Sequence, residues 1–416
     1  MPKITTFPFF AKRFFRRARQ LVGRCSFAHL WRVVIALASL QGRRSLSALA
    51  EALGGYRSRQ AIAYFLSQAQ WDAPGLLRQT AWQTLLRLGF RSGDPLYAVL
   101  DDTQKRKRGK LMAAVSKIFL HAERVYARGH TILGRVLLYR GVLIPYAVSL
   151  WASQQACRDS QQEEDPADRL SFRKLTGLAQ DALLSLDLPQ GVKPVVLFDS
   201  YYLCPAVAGV CTVLGWPFVS VAKKNRNFAP DGRPRDKRKL GEYGRNLLVR
   251  RGRRCVVHGL EHRVAERVGR LSKAGRVKLV VSQRKGDRGW VVLVTNQPEW
   301  DARKVLETYR RRWAIEVLWK QSKQEMGLGD YQMLRYRGVV RYLHLVLIAC
   351  LLLTHLGLSE PDVKAELKAK GELRLPSLAQ LQTRLRGLLW EDVFKRWSEG
   401  KRYRAAAKKL REEILV

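Results

Sequence analysis

Residues Tyr309 to Lys323 read YRRRWAIEVLWKQSK. The stretch contains neither Gly nor Pro and is rich in strong helix formers, so it predicts the middle of one helix. Asp301 is a suitable N-cap before it, and Gly327 is a suitable stop after it. At about 100° per residue, one stripe of this helix displays a single carboxylate among an aromatic ring and several cations: Tyr309, Arg312, Glu316, Lys320 and Lys323. Such a stripe suits a metal ligand whose neighbours hold phosphates; a solvated charged face is the alternative.

Four of these residues are spaced as Y-(2)-R-(3)-E-(6)-K, from Tyr309 through Arg312 and Glu316 to Lys323. The pattern resembles the YREK signature of bacterial insertion-sequence DDE transposases, in the insertion-sequence-four-like superfamily. The resemblance extends over roughly residues 95–350. It implies an α/β fold with a ribonuclease H-like catalytic core interrupted by a β-rich insertion, and two further aspartates at strand ends upstream of the glutamate.

The composition favours a nucleic-acid partner. The 416 residues contain 76 Lys and Arg against 35 Asp and Glu, a formal net charge of +41. Such a charge repels itself unless an anionic partner neutralises it, and nucleic acid is the usual partner. A ribosomal or membrane-surface protein is the alternative, but neither normally has 11 Trp, 14 Tyr and 14 Phe. The 47% hydrophobic content excludes global disorder.

Cysteine spacing and hydropathy indicate a reducing, cytoplasmic location without a membrane span. The six cysteines include no CxxC pair, so neither a zinc ribbon nor a disulfide framework is predicted. The first twenty residues lack a continuous apolar segment and a small-residue cleavage site, which argues against a signal peptide. The longest apolar run, Leu345 to Leu353, is shorter than the ~20 residues of a membrane span, so a buried core helix is predicted.

The N-terminal part of the chain is basic and predicted to be helical. Ser45 to Leu53 and Ser58 to Gln68 have helical apolar spacing behind serine caps, with Gly54-Gly55 between them. Helix, short glycine turn and helix is the outline of a DNA-binding helix-turn-helix, in which Arg57 and Arg59 begin the recognition helix. An ordinary helical hairpin is the alternative, and the positive charge favours DNA binding.

Two apolar runs that end in acidic residues predict buried strands of the core. Pro95 to Thr103 (PLYAVLDDT) ends in Asp101 and Asp102, and Val192 to Ser200 (VKPVVLFDS) ends in Asp199. Alternation of side chains does not decide between the first two acids, because a central parallel strand is buried on both faces. The family pattern Asp-x-Thr implies that Asp101 is the ligand.

The chain is predicted to have five parts. Strand candidates at Arg253 to Val257, Val277 to Ser282 and Trp290 to Thr295 predict the β-rich insertion. A Lys/Arg-rich tail begins at Lys401. The parts are a helical DNA-binding domain (1–94), the first part of the core (95–222), the insertion (223–296), the last part of the core with the acidic helix (297–358) and a helical basic C-terminal region (359–416).

Asp101, Asp199 and Glu316 are the predicted catalytic and metal-binding residues. They lie 199 − 101 = 98 and 316 − 199 = 117 residues apart, so only folding brings them together. DNA cleavage and joining are in-line displacements at phosphorus, for which two divalent cations about 3.5–4 Å apart activate the attacking oxygen and stabilise the leaving one. Carboxylates suit Mg²⁺, with Mn²⁺ as a substitute. Three converging carboxylates repel each other, so the site should be half-formed until metal and DNA arrive.

The resemblance implies that Tyr309, Arg312 and Lys323, with Lys320 on the same stripe, hold phosphates at the transposon end. The basic run after Asp102, with Lys105 and Lys107, either extends that contact or forms a solvated turn. Trp290 either stacks on an unpaired base or packs in the core of a strand. The segment HGLEH at 258–262 matches a metalloprotease pattern, but it contains Gly and follows a strand, so this function is excluded.

These observations predict a DDE transposase, an enzyme that cuts double-stranded DNA at insertion-sequence ends and transfers the cut strand into target DNA. A ribonuclease H-like nuclease that cuts without joining is one alternative. A catalytically inactive, transposase-derived repressor is another. Because transposition pairs two ends, a homodimer on DNA is expected, in the bacterial cytoplasm with the nucleoid.

Overall fold

The structure is a computed structural model that describes residues 2–4, 6–230, 234–369 and 371–398. The predicted basic tail from Lys401 lies outside these residues. The described N-terminal part is helical, as predicted. Its helices are α1 (Lys12–Phe15), α2 (Ala18–Ser39), α3 (Leu46–Ala52), α4 (Arg59–Ser67) and α5 (Ala73–Arg87).

Serine caps and a glycine turn form the pair α3 and α4. The hydroxyl of Ser45 accepts a hydrogen bond from the N–H of Ala48 at 3.2 Å, and the hydroxyl of Ser58 accepts one from the N–H of Ala61 at 3.1 Å. Two consecutive glycines at 54 and 55 have φ of 62° and 73°, a left-handed conformation that side chains disfavour, and they turn the chain between the helices. The backbone therefore has a helix, a glycine turn and a helix, which fits both a helix-turn-helix and an ordinary helical hairpin.

The middle of the chain forms one mixed sheet, twelve-stranded within the described residues, in the order β2-β3-β1-β5-β6-β12-β11-β10-β7-β8. Strand β4 pairs with β3, and β9 pairs with β10. Strands β1, β5 and β6 are mutually parallel, and the other pairings are antiparallel. The strands of its first part are β1 (Tyr97–Arg106), β2 (Ser116–Leu120), β3 (Val125–Tyr139), β4 (Val142–Trp151), β5 (Val195–Phe198) and β6 (Phe218–Val221).

Three helices accompany these strands: α6 (Gln154–Asp159), α7 (Leu175–Leu184) and α8 (Pro205–Val213). Strands β3 and β4 form a hairpin that turns at Gly141. Strand β2 was not predicted; every second residue of it is exposed, so it lacks the continuous apolar run that marks the central strands.

The predicted insertion at 223–296 continues the same sheet rather than forming a separate one. Strand β12 pairs antiparallel with β6 through Leu293 and Val221. The sequence did not predict helix α9 or the long strand β10. The elements of this part are β7 (Asn227–Pro230), β8 (Arg238–Lys239), α9 (Leu240–Arg251), β9 (Arg253–Val257), β10 (Leu260–Leu271), β11 (Gly275–Arg284) and β12 (Val291–Thr295).

The last described part is helical, with α10 (Ala302–Arg310), α11 (Trp313–Glu325), α12 (Tyr336–Gly357), α13 (Pro361–Lys368) and α14 (Leu378–Ser398). Helix α12 packs against α2, α4, α5 and β4. The guanidinium of Arg341 donates to the carbonyls of Leu66 and Trp71, and the hydroxyl of Tyr342 donates to the carbonyl of Arg44. The N-terminal helices therefore share one core with α12.

Two helices are long and apolar enough to cross a membrane by length and composition, α2 and α12. Helix α12 is longer than the predicted apolar run, Leu345 to Leu353, that lies within it. The finding is weak evidence for a membrane span, because core helices of soluble proteins pass the same test. Most of α12 is buried inside the protein, as expected of a core helix.

The predicted single helix through Tyr309 to Lys323 is wrong, because it is broken at Arg311 and Arg312. Asp301 does cap its first half, accepting the N–H of Lys304 at 2.7 Å. At the break the N–H groups of Arg311 and Arg312 donate to residues three positions earlier. This tighter turn advances about 120° per residue instead of 100°, so the charged stripe is rotated at that point. No Gly or Pro marks the break in the sequence.

Candidate active site

Three acidic residues follow the parallel pairing of β1 and β5. That pairing ends at Val99 and Leu197. Asp101 and Asp102 come two and three residues later on β1, and Asp199 comes directly after β5. The prediction that β1 ends at its acids is wrong, since β1 continues to Arg106 through antiparallel pairing with β3. The acids nevertheless lie at the carboxyl edge of the parallel strands, where α/β folds place their sites.

The two adjacent acids of β1 have different partners. Successive side chains of a strand point to opposite faces. Asp102 accepts a hydrogen bond from the Tyr202 hydroxyl at 2.6 Å. Asp101 faces the acidic helix, with its Oδ2 at 3.8 Å from a guanidinium nitrogen of Arg312. The placement favours Asp101 as the residue that works with Glu316.

A glycine seats the acidic helix on the strand that carries Asp101. Gly134 on β3 lies directly opposite Asp101 in the strand register. Trp319 of α11 covers it so closely that a Cβ at this position would overlap the indole ring. Trp319 lies one turn after Glu316 on the same helix. The missing side chain therefore allows α11 to lie against the sheet beside Asp101.

Arg312 lies between two of the predicted metal ligands. Its guanidinium pairs with the carboxylate of Glu316, one turn later, and approaches Asp101. Burial raises the pKa of Asp101 to about 7, and the charges of Asp102, Asp199 and Glu316 add to the effect while Arg312 opposes it. The charges of three other carboxylates thus act on Asp101, and one arginine partly offsets them.

The donor set fits a hard divalent cation, since Asp101, Asp199 and Glu316 offer only carboxylate oxygens. Within the described residues, however, no group of three His, Cys, Asp or Glu side chains is close enough to hold a metal ion. The positive charge beside Asp101 and Glu316 comes from the guanidinium of Arg312. In this arrangement one guanidinium partly neutralises the carboxylates of Asp101 and Glu316.

A family model described as DDE superfamily endonuclease matches residues 25–277. The match spans 277 − 25 + 1 = 253 of the 416 residues, more than half of the chain. The chain belongs to the DDE superfamily endonucleases. The matched region contains Asp101 and Asp199 and ends before Glu316. No curated protein matches the chain.

The residues of this DDE superfamily endonuclease that are predicted to contact phosphates differ in burial and in their distance from the acids. Lys323 is half-buried, and burial together with Lys105 lowers its pKa, while Asp101 and Asp102 raise it. Tyr309 is half-buried with Arg312 over its ring at 5.7 Å, whereas Lys320 is exposed. The structure therefore brings Tyr309, Arg312 and Lys323 to the acids, places Lys105 near Lys323 and leaves Lys320 on the surface.

Lys107 does not occupy the position predicted for a phosphate contact. Its ammonium group is buried, donates to the carbonyls of Gly329 and Tyr331 at 2.7 and 3.0 Å and lies over the Tyr331 ring. Burial, with Lys105 nearby, lowers its pKa to about 7. Lys107 holds the turn after α11 against β1, and its charge is directed into the protein.

Three further predicted contacts lie away from the acids in the sequence. Trp290 is half-buried against Gly244 of α9, with the Lys224 ammonium 3.7 Å from its ring centroid. It precedes β12, whose pairing with β6 places it at the same sheet edge as Asp199. In the helical part, Arg59 is exposed at the start of α4 and Arg57 is half-buried beside Tyr56.

Sequence reasoning missed Tyr202, Gly134 and Trp319. Glycine inside a strand often marks a close approach by another group, and this is the signal that Gly134 offered. Trp319 lies on the buried side of α11, where an apolar residue is expected in any case. Nothing in the sequence of Tyr202 distinguished its hydroxyl from that of the neighbouring Tyr201.

Gly134→Ala is expected to destabilise the enzyme by about 1–3 kcal/mol, the usual cost of overpacking a core. The added methyl group would overlap Trp319 and push α11 away from β3. Trp319→Phe in the same chain should recover part of the loss, because the smaller ring leaves room for the methyl group. Chemical denaturation measures both effects. Equal stability of Gly134→Ala and the unchanged protein would contradict this packing.

Asp101→Asn is expected to stabilise the metal-free enzyme more at pH 8 than at pH 5. The folded pKa of about 7 lies above the ordinary 3.8, so stability is lost as pH rises from the ordinary value through the folded one. Above pH 7 the ionised Asp101 lowers the free energy of unfolding by its full amount, on the order of a few kcal/mol, and replacement by Asn removes this loss. Thermal unfolding with a chelator measures the difference. Asp181→Asn, at an exposed pair with Arg173, is the control and should shift stability by at most about 1 kcal/mol at either pH.

Proposed function

We propose that this DDE superfamily endonuclease is an insertion-sequence transposase, which cuts double-stranded DNA at element ends and transfers the strand into target DNA. The observation that carries the proposal is the surroundings of Asp101: Arg312 lies between it and Glu316, and the charges of Asp199 and Glu316, 199 − 101 = 98 and 316 − 101 = 215 residues later in the chain, add to its raised pKa. Each of the three acids comes from a different element, β1, the end of β5 and α11. Phosphate-binding candidates lie beside them.

The strand order supports a ribonuclease H-like core. Strands β4, β3 and β1 are antiparallel neighbours, followed by β5 and β6 parallel to β1. In this proposal the acidic helix completes the core after β7 to β12 have extended its sheet. The fold then presents two acids on neighbouring parallel strands and the third on a helix packed across them.

We assign the three carboxylates to Mg²⁺, with Mn²⁺ as a substitute. The ions would activate the attacking oxygen and stabilise the leaving one at the scissile phosphate. Asp101 must lose its proton before it can act as a ligand, and because its pKa is raised to about 7, the metal-free protein loses this proton only as the pH rises towards and above neutrality. Arg312 and Lys323 hold phosphate oxygens beside the acids, Arg312 through two N–H groups and Lys323 as a point charge.

The remaining surfaces have DNA-binding roles in this proposal. The exposed start of α4, with Arg59, enters the major groove, and Arg57 and Lys105 contact phosphates. Trp290 stacks on a base at the sheet edge. The charge of +41 supplies affinity through counterion release. Two copies act together, one on each element end, in the bacterial cytoplasm.

The test uses purified full-length protein, Mg²⁺ and labelled duplexes that carry the DNA flanking its own reading frame, with a supercoiled plasmid as target. Joining of labelled ends to the plasmid supports transposition. Cuts without joining support a nuclease and overturn the transfer step. A mobility shift without cutting, under Mg²⁺ and Mn²⁺ alike, supports a DNA-binding repressor and overturns the proposal.

A further inference from the structure

Tyr202 contacts the acids of both parallel strands. Its side chain is fully buried, and its hydroxyl donates to Asp102 Oδ1 at 2.6 Å. Its backbone N–H donates to Asp199 Oδ1 at 3.3 Å, beside the N–H of Tyr201 at 2.9 Å. One residue thus joins the acid pair on β1 to the acid that follows β5.

The loop that carries Asp199 has one further anchor. The hydroxyl of Ser220, on β6, donates to the backbone carbonyl of Asp199 at 3.0 Å. This bond holds the main chain from the side of β6, and Tyr202 holds it from the side of β1. The direction of the Asp199 carboxylate is therefore set by two backbone N–H groups whose own position depends on the hydrogen bond between Tyr202 and Asp102.

The hydrogen bond from a buried tyrosine hydroxyl to a carboxylate is strong and directional. Hydrogen bonds to ionised acceptors are shorter and roughly twice as strong as neutral ones. The bond also occupies one carboxylate oxygen of Asp102. Asp102 therefore serves as the acceptor that holds Tyr202, while its neighbour Asp101 remains available to the site.

We propose that Tyr202 is a positioning residue of the active site, which uses Asp102 as its anchor to set the distance between Asp101 and Asp199. The inference rests on the proposed function, since the distance matters through the ions that these carboxylates hold. Tyr202 touches neither DNA nor metal in this role. Side chains that orient metal ligands typically change metal affinity or activity by about 10–100-fold when removed.

Tyr202→Phe removes the hydroxyl and keeps the ring. We expect the Mg²⁺ concentration for half-maximal cleavage to rise about 10-fold or more. Amide hydrogen exchange in the peptide that covers residues 199–203 should become faster without metal or DNA, because the loop loses its tie to β1. Binding of labelled duplex in the presence of chelator should be unchanged, since no phosphate contact is altered.

Tyr139→Phe is the matched control. Tyr139 is also buried and donates its hydroxyl to an aspartate, Asp94, at 2.8 Å. It pairs with Val142 at the hairpin end of β3, away from the paired residues Asp101 and Gly134. This variant should lose comparable stability while keeping the Mg²⁺ dependence and the exchange rate of residues 199–203. An equal change in both variants would overturn the positioning role and leave a general effect of lost stability.

Asp102→Asn alone replaces the charged acceptor with a neutral one and weakens the bond from the Tyr202 hydroxyl. Exchange of residues 199–203 should become faster in this variant too, which supplies a second line of evidence if Tyr202→Phe folds poorly. Because Tyr202 acts through Asp102, combining Tyr202→Phe with Asp102→Asn should raise the Mg²⁺ concentration for half-maximal cleavage no more than the larger of the two single substitutions does. Additive costs would overturn the coupling. Unchanged exchange in Tyr202→Phe would overturn the inference even if the protein transposes. Faster exchange in a protein that shows no metal-dependent cleavage would uphold the contact and overturn the proposed function instead.

Discussion

Glu316→Gln is expected to abolish metal-dependent DNA cleavage while leaving binding to duplex ends largely intact. The amide keeps the size of the side chain and removes the charge that a divalent ion requires. Mutation of residues that only orient a metal ligand lowers metal affinity or activity about 10–100-fold, so the loss of a ligand should lower the cleavage rate ~100-fold or more. Single-turnover cleavage of labelled duplex, with a mobility-shift assay on the same preparation, measures both properties. Normal cleavage by this variant would defeat the assignment of the site.

Glu307→Gln is the control for the loss of one negative charge. Glu307 lies on α10, where it pairs with the exposed Arg303 one turn earlier. An exposed pair of this kind contributes at most about 1 kcal/mol to stability. The control should therefore cleave as the unchanged protein does. Loss of cleavage in both variants would show that general charge balance, rather than a ligand at 316, controls the reaction.

The elements of the core could be predicted from the sequence because their signals are local. Apolar runs before Asp101 and Asp199 identified β1 and β5, and serine caps with paired glycines identified α3 and α4. The spacing around Glu316 selected the third acid before any contact was known. These signals depend on residues a few positions apart, which is the range over which sequence patterns are informative.

The features that sequence did not predict depend on contacts between distant residues. The break before α11 occurs where Arg311 pairs with Glu372 and Arg312 meets Asp101. The burial of Lys107 depends on carbonyls more than 200 residues away in the chain. In both cases a charged side chain that looks solvent-exposed in the sequence is drawn inward by a partner that periodicity does not reveal.

The position of α12 has the same origin. Its apolar residues identified a buried helix but not what covers it. The covering elements are α2, α4 and α5, from the other end of the chain, so the predicted boundary at residue 94 divides one helical core. In the proposed function, α4 contacts DNA from within this core, and its position reaches α11 through the packing of both helices against α12.

Arg312→Ala is expected to have opposite effects on metal and on DNA. In the free protein Arg312 is paired with Glu316 and close to Asp101, where it competes with a divalent ion for the same carboxylates. Its removal should tighten Mn²⁺ binding to the free protein, measured by titration calorimetry. It should also weaken binding of duplex ends and lower the salt dependence of that binding, by about 0.9 in the log–log slope for one lost phosphate contact.

The expected changes in Mn²⁺ affinity and in DNA affinity have opposite signs because the single guanidinium of Arg312 cannot pair fully with the acids and with a phosphate at the same time. In the proposed function, a DNA phosphate would offer Arg312 a bidentate partner, and the move of Arg312 to that phosphate would leave the carboxylates free to hold the ions. Arg310→Ala, an exposed arginine two positions earlier, removes the same charge without touching the acids. It should leave Mn²⁺ binding unchanged. If Arg312→Ala binds Mn²⁺ more weakly than the unchanged protein, Arg312 supports the metal site instead of competing with it, and the coupling between DNA and metal proposed for this enzyme is wrong.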